Sequence, residues 1–191
     1  MTMRGSTAGP PASGRLYDEL LVTLVQAGDR RAGERLAARW QPRLARTARR
    51  LLADDEAALG AVQEAWLSIL RGIAGLRDPA RFAPWAFGIL RRRCADRIRG
   101  AQAERARSGE SEHEPALPAC ADEALAIREA FAALPGDQRL AAQLFFVEGL
   151  TLAEIAEVQA VPPGTAKTRL FHARRKLKAA LSDRPREGDP T

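Results

Sequence analysis

The sequence predicts an all-α fold of two small helical domains joined by a flexible linker, the second containing a helix-turn-helix. Three observations carry that prediction. Apolar residues recur at three- and four-residue spacings through most of the chain. Helix-stopping and helix-starting chemistry punctuates these stretches, at Gly149, at the capping box Thr151-Leu152-Ala153-Glu154 and at Pro162-Pro163-Gly164. Between the two periodic blocks, residues 101–121 carry Glu104, Glu110, Glu112, Glu114, Pro115 and Pro118 with no periodic apolar face, the composition of a linker. The expected boundaries are a flexible tail over 1–14, a first domain over 15–100, the linker over 101–121, a second domain over 122–182 and a tail over 183–191.

The second domain is the more sharply drawn. Thr151 starts a helix that can run only to about Gln159, because a proline disfavours helical geometry in the residue before it. In the helix that follows, Ala166, Leu170, Ala173, Leu177 and Leu181 form one stripe, leaving Lys167, Thr168, Phe171, His172, Arg174 and Arg175 outward. A short helix, a tight turn and a longer basic helix make the pattern of a helix-turn-helix, whose second helix enters the DNA major groove. A helical hairpin with a solvated basic face explains the charges alone about as well; the turn chemistry tips the reading toward DNA. Upstream, Asp122 caps a helix with Ala124, Ile127, Phe131 and Leu134 on one face, and a further helix to about Glu148 buries Leu140, Leu144, Phe145 and Val147.

In the first domain, Leu16, Leu20, Leu21 and Leu24 predict a helix that ends near Gly28, with Asp29 capping the next. A helix from about Arg30 to Leu52 places Leu36, Trp40, Leu44, Ala48 and Leu51 inward, with Pro42 expected to bend or split it. Arg39, Arg43, Arg46 and Arg50, spaced by four, three and four, form a basic ridge. Solvent exposure is the simpler reading of that ridge and phosphate contact the alternative. Asp54 or Asp55 caps a helix whose stripe is Leu59, Val62, Trp66, Ile69 and Ile73, while Gly60, Gln63, Glu64 and Leu67 share a second, partly polar face that would suit docking a protein, although such a face is more often merely solvated. A loop with Gly72, Gly75, Asp78 and Pro79 follows. Then Phe82, Trp85, Ala86, Ile89, Leu90 and Ile98 make a core face amid Arg91, Arg92, Arg93, Arg97 and Arg99. Aromatics beside arginines suit single-stranded DNA, although aromatics at this spacing are more often core residues.

The totals exclude more than they select. The 191 residues carry a net charge of +6 and a pI near 10.3, which favours an anionic partner only because the basic residues cluster. Cys94 and Cys120 form no C-x-x-C pair, and neither His113 nor His172 stands at ligand spacing from them, so no metal and no cofactor is expected. No nucleophile with a matched base, no phosphate-cradling glycine loop and no paired carboxylates point to an enzyme. Without a secretory signal or a long apolar run, the expectation is a cytoplasmic protein that does not enter the membrane.

The runs LPGDQR, FVEGLTLAEIAE and VPPGTAKTRLFHARRKL resemble region 4 of the sigma-70 family, in particular its small extracytoplasmic-function (ECF) members. The segment DDEAALGAVQEAWLSIL is similar to sigma region 2.2, and RFAPWAFGILRRRCADRIRG to regions 2.3 and 2.4. The resemblance implies a factor that binds bacterial core RNA polymerase, recognises two promoter elements, melts DNA and directs initiation. It implies polymerase contact, on the clamp coiled coil of the large subunit, through Val62, Gln63, Glu64 and Leu67. Minus-35 reading falls to Lys167, Thr168, Arg169, Phe171, His172 and Arg174, and minus-10 contact to Arg77, Arg81, Trp85 and Arg92. Arg169 is also open to a backbone or helix-partner role, and Trp85 to core packing. An anti-sigma factor is the further partner implied.

Two departures from the family pattern stand out. Gln159 and Ala160 occupy the turn where the family usually has Leu-Gly, and a positive φ at Ala160 would cost about 1 kcal/mol relative to glycine. Gly60 stands where the family usually has aspartate, preceded by Leu59 at an acidic position, which leaves the strength of polymerase docking open. The other readings are a sigma-like decoy that sequesters an anti-sigma factor and a stand-alone helix-turn-helix regulator.

Overall fold

The computed structural model describes residues 12–52, 54–108, 127 and 129–182. Asp122, Ala124, His113 and Cys120, most of the expected linker, most of the first tail and all of the second lie outside them. Every regular element among the described residues is helical.

Helix α1 spans Ala12–Gln26, starting within the expected tail. Its buried face is Asp18, Leu21 and Val22, whereas Leu16, Leu20 and Leu24, which with Leu21 predicted the helix, are exposed. Helix α2, Arg30–Leu51, is capped by Asp29, whose side chain accepts from the Ala32 N–H, and it remains a single helix through Pro42. Leu36, Trp40, Leu44 and Ala48 are buried along it as the spacing predicts. Helix α3, Asp55–Gly72, begins at Asp54, whose carboxylate accepts from the N–H groups of Glu56 and Ala57. Ala58, Ala61, Val62, Ala65 and Ile69 form its core face. The small alanines let α3 approach its neighbours closely, and this turns Leu59 out to solvent, against its expected place in the core stripe.

Two single turns of tighter helix, Ile73–Gly75 and Pro79–Arg81, shape the loop, the second capped by Asp78. Helix α4, Phe82–Ser108, buries Phe82, Ala86, Phe87, Ile89, Leu90 and Cys94, while Ile98, expected in the core, is exposed. The T-shaped pair of Trp40 and Phe82, with ring centroids 4.9 Å apart, joins α2 to α4 at the centre of this first bundle. Residues 101–108 continue α4, exposed over 101–107.

In the second bundle, a helical stretch over 129–132 buries Ala130 and Phe131. Helix α5, Gly136–Ala142, runs into a π turn over Gln143–Val147, which carries Val147 outward instead of into the core. Gly149, at φ 70°, ends it. Helix α6, Leu152–Gln159, opens with both reciprocal bonds of the capping box in place. Helix α7, Pro163–Ser182, buries Ala166, Leu170, Ala173 and Leu177, as the stripe predicts. The Leu181 side chain lies outside the described residues.

The two bundles share one apolar core, in which Leu140, Leu144, Ile155, Ala156 and Val158 join the side chains of α1 to α4. Around this contact runs a polar clasp. The Glu148 carboxylate is 1% exposed and accepts from Arg43 Nε at 2.9 Å and from Arg46 Nη2 at 3.1 Å. Gln143 Nε2 donates to Glu148 Oε1 at 3.2 Å. Arg15 pairs with Glu154 at 3.2 Å and donates to the Gly149 carbonyl at 2.7 Å, and the Arg50 guanidinium lies over the Phe131 ring. The basic ridge is therefore largely an intramolecular seat. Its fourth member, Arg39, pairs with Asp18 of α1.

Glu148→Ala would remove the buried acid that Arg43 and Arg46 share, leaving Arg43 only the longer pairing with Asp18 at 3.8 Å, and should cost about 2 kcal/mol in urea unfolding. Glu157→Ala, which removes an exposed pairing with Arg81, should cost less than about 0.5 kcal/mol. Equal midpoints for the two variants would show that the clasp does not carry the contact.

Candidate functional site

The outward face of α7 is built by the turn before it. Ala160 caps α6 in the left-handed region, at φ 52° and ψ 49°, and its N–H bonds back to the carbonyls of α6. The strain that Ala160 carries in place of glycine is thus real, and the reversal it allows sets α7 across α6. Lys167, Thr168, Phe171 and Arg174 are exposed on the side opposite the buried stripe, and Phe171 stands 60% exposed with His172 edge-on at 5.5 Å. Such a face combines cations for phosphate or guanine edges with apolar groups for thymine methyls.

Arg169 does not belong to that face. Its guanidinium donates to Gln159 Oε1 at 3.0 Å and pairs with Asp137 Oδ2 at 2.6 Å, tying α7 to the turn and to α5. It is engaged in holding the helices together, the helix-partner role left open above. Thr168, although exposed, already donates to the Gly164 carbonyl at 3.0 Å.

In the first bundle, Arg77 is exposed on the loop and Arg92 is exposed further along α4. Arg81 is ion-paired with Glu157 of α6, so in this arrangement the second bundle occupies it. Trp85 is half-buried, tilted against Phe82 with centroids 6.0 Å apart and packed under Gly72, where a Cβ would come within 3.0 Å of its ring. It therefore supports the loop from below.

On α3, Gln63 and Leu67 face solvent and Glu64 is half-exposed. Val62 is 1% exposed, so it props the face from within instead of touching a partner. Glu64 pairs with Arg97 of α4 at 2.6 Å, a contact that the sequence reading did not foresee.

Two comparisons decide the family. The family model described as sigma-70 region 2 matches residues 36–104, and that described as sigma-70 region 4 matches residues 124–177. The ECF RNA polymerase sigma factor SigM of Mycobacterium tuberculosis is 35% identical over 164 residues, covering 85% of this chain and 83% of its own. The chain belongs to the ECF sigma factors of the sigma-70 family. The RNA polymerase sigma-H factor of Pseudomonas aeruginosa is 30% identical over 186 residues, covering 89% of this chain and 96% of its own. Among solved structures, the sigma factor RpoE in complex with the anti-sigma factor NepR from Bartonella quintana superposes with a TM-score of 0.69 at 24% identity, covering 79% of this chain and 98% of its own. CnrH in complex with the cytosolic domain of CnrY gives a TM-score of 0.64 at 24% identity, covering 88% of this chain and 99% of its own. These two establish that the fold is shared.

Among the described residues of this sigma factor, no helix is long and apolar enough to cross a membrane, and no group of three or more His, Cys, Asp or Glu could hold a metal ion. Cys94 is buried against the α3–α4 contact. Loss of hydration pushes its thiol up to about 12, the nearby Arg97 charge opposing this only in part. A raised thiol pKa keeps the neutral form through the physiological range, so Cys94 is a packing residue and not a nucleophile. In a Cys120→Ser background, alkylation of the folded chain by iodoacetamide at pH 8 should be at least about a hundredfold slower than in urea. Comparable rates would place Cys94 on an open surface.

Proposed function

We propose that this sigma factor binds bacterial core RNA polymerase through the outward face of α3, reads a minus-35 element with α7 and engages a melted minus-10 strand with the loop and start of α4. The observation that carries this reading is the division of α7 into a buried stripe and an exposed face of Lys167, Thr168, Phe171 and Arg174, in a chain matched by both sigma regions. Arg77, exposed on a loop underpinned by Trp85, and Arg92, exposed further along α4, support contact with an unstacked strand, where guanidinium groups pair with phosphates and bases stack on flat groups. Extruding a base costs a few kcal/mol, least at weakly paired steps, so a loop that accepts it contributes both melting and sequence choice.

The clasp adds a condition. Elements centred roughly 25 base pairs apart are separated by on the order of 80 Å at 3.4 Å per pair. Helices α4 and α6 are packed together here, so the two bundles must part before both elements can be held. Parting also releases Arg81 from Glu157. An anti-sigma factor, the partner that RpoE holds in one of the neighbouring structures, would act on the same equilibrium by binding the chain with its bundles together.

Lys167→Ala should lower transcription from the chain's own promoter about tenfold, the loss of one good contact, while its affinity for core polymerase is unchanged. Leu67→Asp should do the reverse, abolishing co-purification with core polymerase while the isolated chain unfolds at the wild-type midpoint. Loss of polymerase binding in the Lys167 variant would overturn this division of labour. So would normal co-purification of the Leu67 variant.

A further inference from the structure

The α3 face has a feature that its family resemblance does not explain. Gly60 lies beneath the Arg97 side chain: a Cβ at Gly60 would come within 2.4 Å of Arg97 Nη2 and 2.7 Å of its Cζ. The guanidinium therefore crosses α3 where a side chain would otherwise stand, and it ends on Glu64 Oε1 at 2.6 Å. Glu64 is the only acid between Leu59 and Leu70. The remaining outward residues of that stretch are Leu59, Leu67 and Leu70, each at least half exposed, with the uncharged Gln63 among them. Neighbouring Arg93 is held by Ser68 and Asp96 and does not compete for Glu64. The face is thus a leucine surface whose one negative charge is masked.

We propose that Arg97, admitted by Gly60, sets the physical character of polymerase docking by neutralising Glu64, so that the exposed leucines carry the association. The inference rests on the reading of α3 as the polymerase-docking face. Apolar burial is little affected by ordinary salt, whereas a contact made by an unmasked carboxylate is screened by it. Docking of this chain should therefore vary little with ionic strength. Arg97 is a positioning and masking residue in this scheme, and Gly60 is the space that it requires.

The test measures the affinity of the full-length chain for purified bacterial core RNA polymerase from low to high sodium chloride, in the wild type, Arg97→Ala and Gly60→Ala. Arg97→Ala unmasks Glu64 and should change affinity about threefold or more between the salt extremes, beyond any wild-type change. Gly60→Ala alters no charge but pushes the guanidinium aside, and it should reproduce that steeper dependence. Alanine is the better helix former, so this variant should melt no lower than the wild type. A role for Gly60 in helix packing alone would move the melting temperature and leave the salt dependence untouched. Superimposable salt profiles for the three proteins would overturn the proposal. A wild-type chain that binds core polymerase at no salt concentration would instead remove the docking reading on which the proposal rests.

Discussion

The arrangement of the molecule depends on one carboxylate. Glu148 sits at the end of the π turn with almost no access to water, and a lone buried charge of this kind is too costly to keep. Arg43 and Arg46 answer it from the other bundle, Arg43 also lying flat over the Trp40 ring at 4.0 Å. Because the acid and its two cations come from different halves, satisfying Glu148 requires the halves to meet. Its desolvation is compensated only in the closed arrangement. This polar group borders the apolar contact of Leu140, Leu144, Ile155 and Val158 with α1 to α4.

The charged part of this contact is suited to reversal. A purely apolar junction of this size would be slow and expensive to open, whereas carboxylate and guanidinium groups regain hydration when separated. The closed chain keeps Arg81 on Glu157 and packs α4 against α6. Under the proposed function, polymerase binding supplies the free energy that opens this contact.

Much of this was legible in the residues. The capping box, the left-handed Ala160, the inward stripe of α7 and the arginine spacing on α2 each follow from local chemistry that periodicity exposes. What escaped was set by tertiary context. Leu59 reads as core by spacing, yet alanines at 58, 61 and 65 provide the packing surface of α3 and turn it outward. The leucines at 16, 20 and 24 fall on the open side of α1 because Asp18, needed by Arg39, takes the inward position. The ridge of Arg39, Arg43, Arg46 and Arg50 was visible, but its partners lie more than a hundred residues away at Glu148, or on another helix, and no local pattern names them. The link between Gly60 and Arg97 is of the same kind: a missing side chain is informative only once its neighbour is known.

The central claim is that one chain couples polymerase docking to the reading of two promoter elements. Run-off transcription tests it most directly, with purified chain, bacterial core RNA polymerase and fragmented genomic DNA from the source organism, each start site being mapped. The account predicts transcripts that begin at a fixed distance downstream of a shared two-part motif and that vanish when the chain is omitted. Starts scattered without a shared motif, or no transcripts beyond those of core polymerase alone, would contradict it.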